Sequence, residues 1–370
     1  MKRTYAQIIA LIKSGLSGQA PALELFEGVV DWAEIYKLAS AQTVVCIVTD
    51  GISHLPDSLK PGIESLEPFL ADTLATEIRN DQMDRFLVSI MENMEKNGFT
   101  PVIIKGQGLA VNYPVPSHRQ SGDIDILVSE PEYFGLRDFL AAKASHLDEE
   151  YPEILHHGMM FGNIEVEVHG SLATMLSSSL DRKIDAAVRA LFAESDFQDV
   201  SIRGRNIRVP GDVFNAVYVL IHLFRHYFSG GVGLRQILDW AVFLDSHRDS
   251  IDRDRLGAML RNLGLMRAWK AFGAFAVEYA GIPAESVPFY SSRCRWRCGR
   301  MLKFVFKCGN FGVNESRIRG DEPYLIRKIH SFFLFDVHDK FRHFFEFPAE
   351  SLRFFFGAVS YGFGRLFRGV

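Results

Sequence analysis

The chain has 370 residues, 48% of them hydrophobic and 23% charged, with a formal net charge of −4. At about 100–200 residues per domain this allows two or three folded domains with sizeable cores, and it excludes a disordered or repetitive chain. The slight acidic excess provides no overall attraction to nucleic acid, so any basic surface has to be local.

The N-terminal stretch starts basic, but its apolar run is short, interrupted and without a small-residue cleavage site, so no secretion signal is expected. No window approaches the roughly 18 uninterrupted apolar residues of a spanning helix. Cys46, Cys294, Cys298 and Cys308 form no dense disulfide framework, and a cytoplasmic location is the expectation.

From Thr4 to about Gly98, apolar residues return every three or four positions and predict helices. The clearest spans Phe69 to Asn97, with Phe69, Leu70, Leu74, Ile78, Met83, Phe86, Leu87, Ile90 and Met94 as its apolar stripe and Gly98 as its left-handed terminator. A different texture follows. Val102 to Ile104 reads as a short β-branched strand, Lys105 to Gly108 as a turn, and Leu109 to Tyr113 as one or two helical turns stopped by Pro114 and Pro116.

Next comes Ser121-Gly122-Asp123-Ile124-Asp125-Ile126-Leu127-Val128. In a strand alternate side chains share a face, so Asp123 and Asp125 lie together while Ile124 and Ile126 enter the core. Two adjacent anions are best relieved by a divalent cation, and hard oxygen donors with room for water and phosphate favour Mg²⁺ or Mn²⁺. A helix is expected from Pro131 to about Ala144. Met159 to Phe161 and Ile164 to His169 read as strands joined by the tight turn Gly162-Asn163. The second strand puts Glu165, Glu167 and His169 on one face, so a third carboxylate reaches the aspartate pair if the strands are neighbours. Glu167 is the preferred third ligand and Glu165 its competitor. With two ions about 3.5–4 Å apart, one activates an attacking hydroxyl and the other steadies a triphosphate.

Val200 to Val209 suggests another hairpin, broken at Gly204-Arg205-Asn206. Asp212 is a plausible N-cap, after which the pattern is helical. The expected organisation is therefore an α+β chain: a helical region (1–98), an α/β core holding a short mixed sheet (99–210), and a second helical region (211–370).

Ile104-Lys105-Gly106, Tyr113-Pro114, Arg119, Gly122 to Val128, and Val166-Glu167-Val168-His169 together resemble the uncharacterised bacterial nucleotidyltransferase family of the DNA polymerase β superfamily. Asp31-Trp32 through Ala39, His222 to His226, Arg235 and Asp239 are similar to that family's helical flanks, so the resemblance covers roughly residues 30 to 245. It implies the minimal nucleotidyltransferase fold and divalent-metal-dependent transfer of a nucleoside monophosphate, most simply from ATP, to an acceptor hydroxyl. The acceptor, whether protein, RNA, sugar or small molecule, is not encoded in any motif. The wider superfamily usually has Gly-Ser before the acidic strand, where this chain has Lys105-Gly106-Gln107; Gly106 permits close backbone approach, and Lys105 and Arg119 offer positive charge for phosphate.

His222 and His226 share a helical face but lack the glutamate of a zinc hydrolase motif. They are expected as core residues or, with Arg235 and Asp239, as a wall over the nucleotide. His169 shares the Glu167 face, whereas His156 and His157 read as strand-end polar residues. Arg293 to Lys307 carries six basic residues and no acid, and phenylalanines crowd the chain from Phe332 to Phe367. The basic run is expected as a solvated face, with RNA, lipid or an acidic partner as its other reading, and the phenylalanines are expected to pack on the helical region, with a membrane surface or a docked partner as theirs. Two further functions compete: a glycosyltransferase that uses Asp-x-Asp to hold a nucleotide sugar, and a catalytically weak nucleotide-binding module that acts through its C-terminal part.

Overall fold

A computed structural model describes residues 2–148, 150, 154–310 and 339–368. Four helices open the chain: α1 (Arg3–Ser17), α2 (Trp32–Ala41), α3 (Val45–Ser53) and α4 (Ile63–Lys96). The sheet region holds β1 (Val102–Ile104), α5 (Gly106–Ala110), β2 (Asp123–Leu127), α6 (Glu130–Ala141), β3 (His146–Leu147), β4 (His156–Phe161) and β5 (Ile164–His169). After α7 (Ser178–Ala193) comes the hairpin β6 (Phe197–Ile202) and β7 (Arg205–Pro210). Helices α8 (Asp212–Phe228), α9 (Leu234–Ser246), α10 (Arg253–Leu263), α11 (Met266–Phe275), α12 (Arg295–Cys308), α13 (Asp339–Arg342) and α14 (Pro348–Arg368) complete the described chain. The architecture is α+β, with a mixed five-stranded sheet in the order β1-β2-β5-β4-β3. Strand β2 runs parallel to β5, and the other neighbours are antiparallel.

Two apolar clusters hold these layers. In one, Ile124 and Ile126 of β2 and Val166 and Val168 of β5 pack with Met83, Leu87 and Met94 of α4 and with Tyr133 and Leu136 of α6. The other joins helices from both ends of the chain, α1 and α3 with α8, α9, α11 and α12. Buried Gln42 stitches this second cluster, donating from Nε2 to the Val305 carbonyl at 2.9 Å and accepting from the Leu234 amide at 2.9 Å. Phe347 and Phe354 are buried against Phe224 and Phe228, as the packing expectation for the C-terminal aromatics requires. Phe345 and Phe356 are exposed, Phe332, Phe333 and Phe335 lie outside the described residues, and so do the side chains of Phe363 and Phe367. Among the described residues no helix is long and apolar enough to cross a membrane.

Several local expectations are corrected. Leu70, Leu74 and Ile78 are 52%, 58% and 52% exposed, because the first half of α4 meets α2 and α3 through a different face: Phe69, Asp72 bound by the Tyr36 hydroxyl at 2.8 Å, and Thr73. Only the second half of the helix, from Met83, lies on the sheet. The stretch read as a turn at Lys105 to Gly108 is the start of α5, the β6–β7 turn is Arg203-Gly204, and Gly211 holds the cap position with Asp212 the first residue of α8. The Gly162-Asn163 turn does join β4 to β5, with Gly162 at φ +63°.

Helices α1 and α3 touch backbone to backbone. A Cβ on Gly51 would stand 2.1 Å from the Leu11 carbonyl oxygen, and one on Gly15 would stand 2.2 Å from that of Ile47. Gly51→Ala is therefore expected to force the helices apart and cost about 1–3 kcal/mol; a denaturation midpoint equal to wild type would contradict this close crossing.

His118 ties α3 to α4, its Nδ1 lying 2.8 Å from Asp50 Oδ2 and its Nε2 3.0 Å from Glu77 Oε1. The hydrogen bond to Asp50, with that to Glu77, outweighs burial and raises the imidazole pKa. The folded protein thus binds this proton more tightly than the unfolded chain, whose value is near 6.5. Its stabilisation is complete below that value and is lost as pH rises through the folded one. Melting curves across neutral pH should show this slope in wild type, and His118→Gln should flatten it.

Candidate active site

The acidic residues are placed by strand register. Asp123 stands opposite Glu165 and Asp125 opposite Glu167 across the parallel β2–β5 pair. Among the described residues, Asp123, Asp125 and Glu167 each bring a carboxylate oxygen within 4.8 Å of the others, and Glu165 does not join that group. Asp125 beside it, reinforced by burial, pushes the Asp123 carboxyl up. Burial would also push Glu167 up, but hydrogen bonds from His156 and His169 outweigh it and hold this carboxyl well below the usual range.

Lys105 meets the trio from the junction between β1 and α5. Its Nζ lies 2.7 Å from Asp125 Oδ1. Burial alone would lower the Lys105 pKa, yet Asp125, with Tyr218, Asp123 and Glu167, reverses this and fixes the ammonium form. Lys105 adopts φ +58° and ψ −145°, a strained conformation for a side-chain-bearing residue, and Gly106 follows at φ +43°. A Cβ at Gly106 would come 3.3 Å from the Asp123 carbonyl oxygen.

His169 Nε2 is 3.0 Å from Asp125 Oδ1 and 3.4 Å from Glu167 Oε2, and His156 Nε2 is 3.2 Å from the same Glu167 oxygen. Burial disfavours the imidazolium at His169, but the two carboxylates prevail and raise its pKa.

These groups line a cleft of about 270 Å³ whose other walls come from α8, α9 and residues 171–174. From α8, Tyr218, His222, Arg225 and His226 face it. Burial, with Lys105 and His226 nearby, holds His222 well below its ordinary value, and burial and Arg225 lower His226 to about 3. Both rings are therefore neutral at physiological pH, 4.5 Å apart in an edge-on contact.

The far wall is a buried ion pair. Arg119 grips Asp239 with Nε on Oδ1 and Nη2 on Oδ2, each at 2.8 Å, and the Tyr113 hydroxyl donates to Asp239 Oδ1 at 2.7 Å. Arg235 donates to the Gln120 carbonyl at 2.5 Å, and burial beside Arg119 lowers its pKa.

The cleft thus gathers Asp123, Asp125, Glu167, Lys105, Gly106, Arg119, His169, His222, His226 and Arg235. Gly122 is not among its lining residues; its carbonyl accepts from Arg79 at 2.9 Å. Gln107, part of the Lys105-Gly106-Gln107 stretch found in place of the superfamily's usual Gly-Ser, is buried toward α4 with Nε2 3.8 Å from Met83 Sδ. The cause is the helical start of α5: Gly106 and Leu109, three apart, face the cleft, and Gln107 points elsewhere. The free phosphate-binding charge expected of Arg119 is likewise already met by Asp239.

Sequence reading missed His156, Tyr218 and Arg225. Counting outward from the Gly162-Asn163 turn pairs His156 with His169, but the apolar pattern marks the strand only from Met159. Tyr218 stands four residues before His222 on the same helical face. Arg225, three residues after His222, follows on that face by the same spacing.

A mixed sheet with an Asp-x-Asp strand parallel to a glutamate-bearing strand, helices packed on it and a cleft over the acids, defines the α+β core of a nucleotidyltransferase. The chain belongs to the uncharacterised nucleotidyltransferase family, whose model matches residues 28–281. No curated protein and no solved structure matches it significantly.

Proposed function

We propose that the protein is a divalent-metal-dependent nucleotidyltransferase that moves a nucleoside monophosphate from an NTP, most simply ATP, to an acceptor hydroxyl and releases pyrophosphate. The observation that carries this reading is the convergence of Asp123, Asp125 and Glu167 from two neighbouring strands. An all-carboxylate donor set of this kind fits Mg²⁺ or Mn²⁺.

Charge supports the metal dependence. The cleft is lined by four acids, Asp123, Asp125, Glu167 and Asp239, and four cationic side chains, Lys105, Arg119, Arg225 and Arg235. These acidic and cationic side chains balance in number, which leaves little attraction for a polyanionic triphosphate until divalent charge is added. When bound, the ion would offset charge on the phosphates and increase the acidity of the acceptor hydroxyl. Asp123, Asp125 and Glu167 would hold it, Glu167 staying ionised because His156 and His169 suppress its protonation. Lys105 and Arg225 would hold phosphate oxygens, while the Arg119–Asp239 pair would keep that wall rigid rather than lend its charge. The acceptor oxygen bonds to the α-phosphorus, the bond to pyrophosphate breaks, and the acceptor proton leaves to solvent.

The glycosyltransferase reading does not require a glutamate strand paired with the Asp-x-Asp strand, so it explains less of the site. Free cysteines, three of the four buried, suit the proposed cytoplasmic location.

The test is incubation with Mg²⁺ or Mn²⁺, each α-labelled NTP and cell extract, comparing wild type with Asp125→Asn. Label moved by wild type alone supports transfer and reveals the acceptor class. NTP binding with no label moved under any condition would favour the binding-module reading.

A further inference from the structure

We infer that His156, Glu167 and His169 form a second metal site, selective for a borderline transition-metal ion such as Zn²⁺ over Mg²⁺. Register builds it. His156 of β4 and His169 of β5 are directly opposed cross-strand partners, and Glu167 lies two residues from His169 on the same face. Both Nε2 atoms converge on one oxygen, Glu167 Oε2, at 3.2 and 3.4 Å, with the imidazole rings 4.8 Å apart. One ligand atom from each residue lies within 4.8 Å of the others.

Donors about 2.0–2.1 Å from a tetrahedral Zn²⁺ stand roughly 3.3–3.4 Å from one another. The two nitrogen–oxygen separations already match that edge, the two nitrogens lie within 4.8 Å of each other, and seating the ion requires His169 Nε2 to give up its 3.0 Å contact with Asp125 Oδ1. Two imidazoles and a carboxylate are a donor set that suits zinc and its neighbours, whereas Mg²⁺ prefers oxygen alone. Three protein ligands leave an open position toward the cleft, which His156, Glu167 and His169 all line. The site shares Glu167 with the carboxylate trio, but its existence does not depend on the transferase reading.

The experiment uses tag-free, metal-stripped full-length protein, titrated at neutral pH with Zn²⁺ by calorimetry and with Co²⁺ by visible absorption. Wild type should bind one Zn²⁺ per chain in the presence of excess Mg²⁺ and give the intense visible bands of tetrahedral Co²⁺. His156→Ala should weaken Zn²⁺ binding by about 100-fold or more. His156→Gln, which retains a polar side chain of similar reach but not the ligand nitrogen, should do the same while melting near the wild-type temperature without metal. Asp123→Asn, outside this triad, should leave Zn²⁺ affinity unchanged even where NTP transfer is lost. Zn²⁺ bound equally by wild type and His156→Gln, or not bound by wild type, overturns the site and shows the histidines to be hydrogen-bonding clamps on Glu167. Neither of those results would bear on label transfer.

Discussion

Asp123→Asn should stabilise the metal-free protein while lowering nucleotidyl transfer by about 10²–10³-fold or more. Asp123 is held against Asp125 in a buried setting that raises its pKa, so folding disfavours its charged form at neutral pH. An amide of the same size removes that repulsion. The sign follows from linkage: a carboxyl whose folded pKa exceeds its unfolded value gains stability as pH falls, and the asparagine substitution makes this gain permanent. The same change removes one ligand from the trio, so the rise in melting temperature that Mg²⁺ or Mn²⁺ confers on wild type should vanish. A variant that melts higher, ignores the metal and moves no label would show a site whose strain serves function. Wild-type transfer by Asp123→Asn would remove this residue from the metal site.

Arg119→Ala should be the most damaging single change to the fold, at about 3–5 kcal/mol, because it leaves Asp239 charged and buried without its partner. The pair is bidentate, with both residues nearly excluded from solvent. Arg119→Met combined with Asp239→Leu should recover most of that loss, since a buried ion pair replaced by packed apolar groups is often near neutral in stability. Chemical denaturation of the single and double variants checks both statements. Arg119→Ala within about 1 kcal/mol of wild type would mean that the pair adds no more than an exposed surface bridge.

Much of the candidate site was legible because its signals are short in range. Asp123 and Asp125 share a face because side chains alternate along any strand, and Gly162-Asn163 announces its hairpin because glycine accepts the positive φ that the turn needs. What was not legible turns on neighbours distant in sequence. Nothing near Arg119 says that Asp239, 120 residues away, will neutralise it. Nothing in the spacing of Leu70, Leu74 and Ile78 says that the first half of α4 will turn a different face to α2 and α3.

The choice between Glu165 and Glu167 shows the division most clearly. Alternation puts both on the aspartate face, and no property of β5 alone separates them. The parallel register of β2 and β5 sets Asp123 opposite Glu165 and Asp125 opposite Glu167, and His156 and His169, brought in by the β4–β5 pairing, hold the Glu167 carboxylate within reach of both aspartates. By itself the sequence determined the helical flanks, the acidic strand, the hairpin and the family, because backbone sterics, periodic burial and turn chemistry act over a few residues. Only the tertiary structure decided which charges stand free and which are spent on one another, because electrostatic pairing in a buried cleft depends on which distant segments fold into contact.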